Sequence, residues 1–205
     1  MSDLLKKYRT YKKAFHLEKL RKECIKYAYG DVLEICSGLG VDFDYYNHNR
    51  ILSVTVIDKN LGYLNFSKEV VKKEFFNKFT FKNDDAFNFI NNTKNSYDCI
   101  ILPLCLCAFD KPNLVIEKAV KILKQDGVII SFQHGSSRFN ILRIIQQKID
   151  PFYKRKYGCH ISGEYNQLFT KLDDIKPIVV YKKHAGIFHV AIYKKTSTHT
   201  PHSNL

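Results

Sequence analysis

The 205-residue chain has no tryptophan and a single methionine, yet 15 Phe and 13 Tyr bring its aromatic share to 14%, and 45% of it is hydrophobic. So much apolar surface has to be buried, which excludes a disordered chain. The length suffices for one domain with its own core. Long apolar runs are missing too: none reaches the about 18–20 residues that cross a bilayer, and the longest, 99–109, is broken by Pro103. A transmembrane helix is therefore excluded. The six cysteines contain no CxxC pair, and Cys99, Cys105 and Cys107 sit inside that apolar run. Free thiols in a reducing compartment fit this pattern better than disulfides. Cys105 and Cys107 are poor zinc candidates, and no metal is expected. The N-terminus lacks an apolar h-region, which argues against secretion. Residues 4–17 lack acids and carry Lys6, Lys7, Arg9, Lys12 and Lys13, a faint likeness to a mitochondrial presequence, but they are read as the chain's own first helix. The expected location is intracellular, mitochondrial or cytoplasmic.

Acidic residues are the minority charge: 20 Asp+Glu against 33 Lys+Arg, a net +13. Such an excess favours a polyanionic neighbour, whether RNA, an acidic membrane surface or an acidic protein. Only six of the cations are Arg, and lysine-rich, Asn- and Ile-rich composition arises equally from genome bias. The densest basic segment holds Arg138, Arg143, Lys148, Lys154, Arg155 and Lys156 against one acid, Asp150. It is the candidate surface for RNA or an acidic membrane.

Apolar spacing predicts one or two basic amphipathic helices over 3–28, carried first by Leu4, Tyr8, Tyr11 and Phe15. From there strands and helices alternate. Strands are expected at 31–36, 51–57, 79–82, 97–102 and 128–132. Helices are expected at 60–76, 86–92 and 114–124, the last capped by Asp126-Gly127, and at 138–149, ended by Asp150-Pro151. Two more strands, 178–182 and 187–193, flank a His184-Ala185-Gly186 turn. The expected organisation is a basic helical segment over 1–29, one domain over 30–195 and a polar, disordered tail over 196–205, with no internal repeat. Continuous apolar strands alternating with helices indicate a mostly parallel sheet covered on both faces, closed by an antiparallel hairpin.

In such a sheet ligands bind beyond the carboxyl ends of the strands, where strand order reverses. Four segments end there. In the first, Glu34-Ile-Cys-Ser-Gly-Leu-Gly40, Gly38 and Gly40 allow close approach of backbone to a ligand and Glu34 can accept hydrogen bonds. The second ends in Asp58, about twenty residues after the glycine loop, where an acid can chelate ribose hydroxyls. The third is Asn83-Asp84-Asp85-Ala86, whose carboxylate can accept from an exocyclic amine. The fourth, 98–107 with Leu102, lines the floor beside the ligand's reactive end. His134, closing the fifth strand, is a candidate to orient an acceptor or act as a base, with a structural role as the alternative. The G-x-G-x-x-G of dinucleotide-binding oxidoreductases is absent, since Phe43 stands where its last glycine belongs.

These segments resemble the motifs of class I S-adenosylmethionine-dependent methyltransferases over roughly residues 28–195. The resemblance implies a Rossmann-like α/β domain with a mostly parallel seven-stranded sheet, and S-adenosylmethionine as cofactor. Glu34, Cys36, Gly38 and Gly40 would lie at its methionine portion, Asp58 at the ribose, and Asp85 and Ala86 at the adenine. Tyr97–Ile101 and Leu123–Gly127 match the family's fourth-strand and pre-fifth-strand motifs. A further likeness, in Leu104–Cys107, Ser131–Gly135 and Tyr157–His160, is to a membrane-associated branch that includes thiol methyltransferases and a yeast mitochondrial inner-membrane protein. Two positions depart from the pattern: Cys36 replaces a motif glycine, and Gln133 replaces an acid before His134. The implied activity is methyl transfer to a small lipophilic molecule, RNA or protein. The departures leave a second class open, a methyltransferase-fold binding or assembly subunit, for example in a mitochondrial ribosome or respiratory assembly. Methyl transfer from a sulfonium relies mainly on alignment, so the lack of an evident acid–base pair does not argue against catalysis.

Overall fold

The computed structural model describes residues 2–13 and 17–196; Phe15 and the tail from 197 lie outside them. Two helices, α1 (Ser2–Lys13) and α2 (Leu17–Ile25), precede β1 (Gly30–Ile35), β2 (Ile51–Ile57), α3 (Leu61–Val70), β3 (Phe79–Lys82), α4 (Ala86–Asn92), β4 (Tyr97–Pro103), α5 (Pro112–Ile122), β5 (Leu123–His134), α6 (Asn140–Tyr157), α7 (Asn166–Phe169), β6 (Ile175–Lys183) and β7 (Phe188–Lys195). The seven strands form one sheet in the order β3-β2-β1-β4-β5-β7-β6. β1 to β5 are mutually parallel, and β7 runs antiparallel to both β5 and β6. Strand order reverses between β1 and β4, the expected place for a ligand.

Strict alternation on two buried faces assigns the core. On β1, Val32 joins Val54, Ile101 and Ile130 beneath α2, which contributes Leu17, Leu20 and Cys24. Leu33 and Ile35 face the other way, against Val115, Ile116 and Ala119 of α5. The basic N-terminal segment is thus partly core: α2 covers one sheet face while its lysines stay outside.

Three boundaries differ from the sequence-based expectation. The helix after β2 ends at Val70, and Lys73–Lys78 continue as a tighter 3-10 turn. α5 ends at Ile122 without a glycine cap, and β5 begins at once, Leu123 pairing with Tyr97. The left-handed residue there is Asp126 (φ +62°), while Gly127 is small because a Cβ would come 2.8 Å from the Lys124 carbonyl. Pro151 does not end α6, which runs on to Tyr157 and stops at Gly158 (φ +72°). Proline's fixed φ suits a helix and its loss is one hydrogen bond. Gln146 and Asp150, both just before it, are bonded to the neighbouring 135–137 and 161–162 segments and hold the helix in place. The closing hairpin is as expected, with His184, Ala185 and Gly186 all at positive φ.

Candidate active site

At the carboxyl ends of β1, β4 and β5 lies a cavity of about 800 Å³, within the range of pockets that take a cofactor or drug-sized ligand. Its walls come from the loop after β1, the turn after β4, His134, and the inner face of α6. The loop after β1 is held in a tight left-handed path: Cys36, Gly38 and Gly40 have φ of +57°, +57° and +71°. Asp58 fixes it from the end of β2, accepting from the Gly38 N–H at 2.8 Å and from the Asn60 N–H at 2.8 Å. The Ser37 hydroxyl in the same loop is buried and without a partner among the described residues.

The charges below the loop are paired in the interior. Arg21 of α2 donates to Asp42 at 2.6 Å, both nearly enclosed and both lining the cavity. Glu34 is fully buried on the same sheet face and accepts from the Tyr46 hydroxyl at 2.5 Å, leaving its other oxygen without a partner. Burial first, and then the nearby Asp42 charge, push its carboxyl well above the usual range.

Cys107, His134 and Cys159 also line the cavity and lie together. The Cys159 thiol is drawn down to about 5, first by its hydrogen bond with Cys107 and then by His134. The Cys107 thiol is pushed up by the same contact and by burial. Gln146, Tyr153 and Tyr157 of α6 line the same cavity.

A family model described as a methyltransferase domain matches residues 30–171. The chain belongs to the methyltransferase-domain family. It is 24% identical over 211 residues to Methyltransferase OMS1, mitochondrial, of Saccharomyces cerevisiae, covering 92% of this chain and 45% of that protein. Over 136 residues it is 24% identical to Thiol S-methyltransferase TMT1B of Rattus norvegicus, covering 65% of this chain and 55% of the relative. The chain thus spans about half the length of the curated relatives it matches. The fold is shared with N-methyltransferase NodS from Bradyrhizobium japonicum WM9 in complex with S-adenosyl-l-homocysteine, at a TM-score of 0.62 and 16% identity over 89% of this chain and 86% of that one.

Within this methyltransferase domain the residues singled out from sequence fall into two groups. Cys36, Gly38 and His134 line the cavity. Glu34, Gly40, Asp58, Asp85, Ala86 and Leu102 stand outside its lining. Asp58 nonetheless grips the lining loop. Asp85 is exposed and caps α4, its Oδ1 accepting from Phe87 N–H (2.9 Å) and Asn88 N–H (3.1 Å), while Ala86 and Leu102 are buried in the core. Gly40 serves packing: a Cβ there would come 2.5 Å from the Phe43 ring, whereas at Gly38 it would meet nothing within 4 Å.

Both departures from the motif have structural explanations. Cys36 adopts the left-handed φ that glycine normally supplies, so the loop keeps its path. Gln133, fully buried, donates from Nε2 to the Leu102 carbonyl (2.6 Å) and accepts the Leu106 N–H on Oε1 (3.1 Å). It ties β5 to the turn after β4 with one donor and one acceptor, which an ionised carboxylate cannot provide. Sequence reasoning missed the Arg21–Asp42 pair and the meeting of Cys107 with Cys159. The segments holding both cysteines were singled out, but nothing in their spacing, 52 residues apart, signals contact.

Proposed function

We propose that the chain is an S-adenosylmethionine-dependent methyltransferase, with the cofactor's methionine portion against the Cys36–Gly38 loop and the methyl acceptor toward His134 and Cys159. The observation that carries this is the cavity at the strand-order reversal, entered by a left-handed loop that Asp58 holds. The family membership and the S-adenosyl-l-homocysteine complex of a protein sharing the fold support the same cofactor. When bound, S-adenosylmethionine supplies an electrophilic methyl on a charged sulfonium, so proximity and alignment provide most of the rate. The chain's part is to seat the donor with the open Gly38 surface and to shield the reacting end with Tyr153 and Tyr157. Asp58, whose oxygens retain further lone pairs, accepts the ribose hydroxyls, and Asp85 and Ala86 border the adenine. Because Cys36 and Gln133 preserve the local geometry, they do not favour a degenerate assembly subunit. Titration calorimetry tests the assignment. S-adenosylhomocysteine should bind with micromolar affinity, and Asp58→Ala should weaken it by about 1.5–3 kcal/mol, the value of hydrogen bonds to a charged acceptor. No binding by folded wild-type protein would reject the reading.

The basic segment 138–156 acts, in the same proposal, as a docking surface for an acidic membrane. Ile141, Ile145, Ile149 and Phe152 recur on α6 at the spacing of one helical stripe, and all are exposed, Ile141 to 75% and Phe152 to 50%. Arg143, Lys148, Arg155 and Lys156 on the same helix and Arg138 just before it are also exposed, and Lys154 pairs with Asp110 at 3.4 Å. Apolar bulk beside cations suits a lipid interface, whereas RNA would be met by charge with stacking groups. No helix among the described residues is long and apolar enough to cross a membrane. The surface would place a lipophilic acceptor beside the α6 end of the cavity, and the yeast relative's name supports a mitochondrial compartment. Sedimentation with phosphatidylglycerol-containing vesicles should show binding that falls between about 50 and 200 mM salt and drops at least fivefold in Ile145→Ser/Phe152→Ser. Equal vesicle binding by that variant, or preferential binding to an RNA oligonucleotide, would reject it.

A further inference from the structure

Cys107, His134 and Cys159 come from three separate parts of the chain. Cys107 lies in the turn after β4, His134 ends β5, and Cys159 follows the Gly158 cap of α6. Their donor atoms nevertheless all lie within 4.8 Å of one another, with Cys159 Sγ 3.7 Å from His134 Nε2. All three line the cavity, Cys107 buried and the other two half-buried. A tetrahedral zinc ion with Zn–S of about 2.3 Å and Zn–N of about 2.0–2.1 Å sets its ligand atoms about 3.5–3.8 Å apart. The three donors therefore stand within about 1 Å of ligand spacing. No carboxylate belongs to the group, so the donor set is soft and suits zinc rather than magnesium or calcium. The expectation of no metal rested on Cys105 and Cys107 as a pair, whereas the fold groups Cys107 with residues far away in sequence.

The surroundings hold this arrangement in place. The His160 N–H donates to the Cys107 carbonyl at 3.2 Å, joining the two cysteine segments directly. Asp150 of α6 accepts from the Ile161 and Ser162 N–H groups at 2.7 and 3.1 Å and pairs with His160 Nδ1 at 2.6 Å, which anchors the Cys159 loop. Gln133 fixes the turn that carries Cys107.

We infer that Cys107, His134 and Cys159 bind a zinc ion whose fourth position opens into the cavity and takes the sulfur of a thiol methyl acceptor. Three protein ligands and one open position are the arrangement of catalytic rather than structural zinc. Two cysteine thiolates balance the ion's charge, so an incoming third thiolate keeps its nucleophilic character. The acceptor thiol releases its proton to solvent on binding. A sulfur lone pair then forms the new C–S bond to the donor methyl as the sulfonium C–S bond breaks. The products are a thioether, a weaker ligand than a thiolate, and neutral S-adenosylhomocysteine. This step rests on the methyl-donor reading above, but the metal site does not.

The full chain purified without chelator should carry about one zinc per molecule by mass spectrometry. After exchange into Co²⁺ it should show a thiolate-to-cobalt charge-transfer band and the visible bands of a tetrahedral ion. Cys159→Ser and His134→Ala should each weaken zinc at least tenfold in competition with a chromophoric chelator, with circular dichroism confirming the fold. Adding 2-mercaptoethanol to the cobalt form should strengthen the charge-transfer band, while ethylene glycol should not. Metal-free protein that fails to take up Zn²⁺ or Co²⁺, or variants that bind zinc like wild type, would overturn the site. A cobalt spectrum indifferent to the thiol would overturn the acceptor assignment. S-adenosylhomocysteine titration of the chelator-treated wild type reports the donor reading separately: zinc binding without it would reject the donor alone.

Discussion

Replacing Gln133 with Glu, the residue that the likeness to the membrane-associated branch places there, puts a number on what the buried amide does. The two side chains have nearly the same shape, so packing is preserved and the change is confined to one donor. Ionised, the introduced carboxylate would keep the bond from the Leu106 N–H but set a negative charge against the Leu102 carbonyl oxygen, now 2.6 Å from the amide nitrogen. Protonated, the new side chain can reproduce both bonds. Folding therefore selects the protonated form, and the cost is that of holding a proton on a carboxyl whose ordinary pKa is about 4.3. At pH 7 that cost is at most about 3.7 kcal/mol, and at pH 5 about 1 kcal/mol, at 1.36 kcal/mol per pH unit. The sign follows from linkage: the folded pKa is raised, so the variant matches wild type below about pH 4 and loses stability as pH rises. Urea denaturation of both proteins at pH 5 and pH 7 measures the difference. Gln133→Ala, which leaves the Leu102 carbonyl and Leu106 N–H unpaired, should lose about 1–3 kcal/mol or more at both pH values alike. An equal loss for Gln133→Glu at both pH values, or wild-type stability at pH 7, would refute the role given to the amide.

The two loop glycines should separate on valine substitution. Gly38→Val meets open space and carries only left-handed strain of about 1–2 kcal/mol, so the protein should fold and lose S-adenosylhomocysteine binding at least tenfold by calorimetry; Gly40→Val drives into the Phe43 ring and should lower the thermal midpoint sharply, with normal stability counting against the packing role. Arg21→Met leaves Asp42 buried without its partner and should destabilise by about 3–5 kcal/mol in urea denaturation; a loss under about 1 kcal/mol would show that water reaches the pair.

What the sequence determined by itself was local. Apolar runs of strand length, the His184–Gly186 turn and the placement of Asp58 after β2 all follow from period and turn chemistry, which act over a few residues. These sufficed for the parallel sheet and for the end of it where a ligand belongs. Tertiary structure decided how the same residues are used. Asp85, read as a ligand contact, also caps α4 in the fold, its carboxylate accepting from the Phe87 and Asn88 N–H groups. Gly40, read as a ligand approach, also has to be small, because the Phe43 ring lies where its Cβ would go. Pro151 reads as a stop, yet α6 continues through it because the contacts of Gln146 and Asp150 just before it outweigh one lost hydrogen bond. The Arg21–Asp42 pair and the Cys107–His134–Cys159 group depend on helices and loops converging on the carboxyl edge of the sheet. Segments 21 to 52 residues apart in sequence meet there only because β1, β4 and β5 lie side by side.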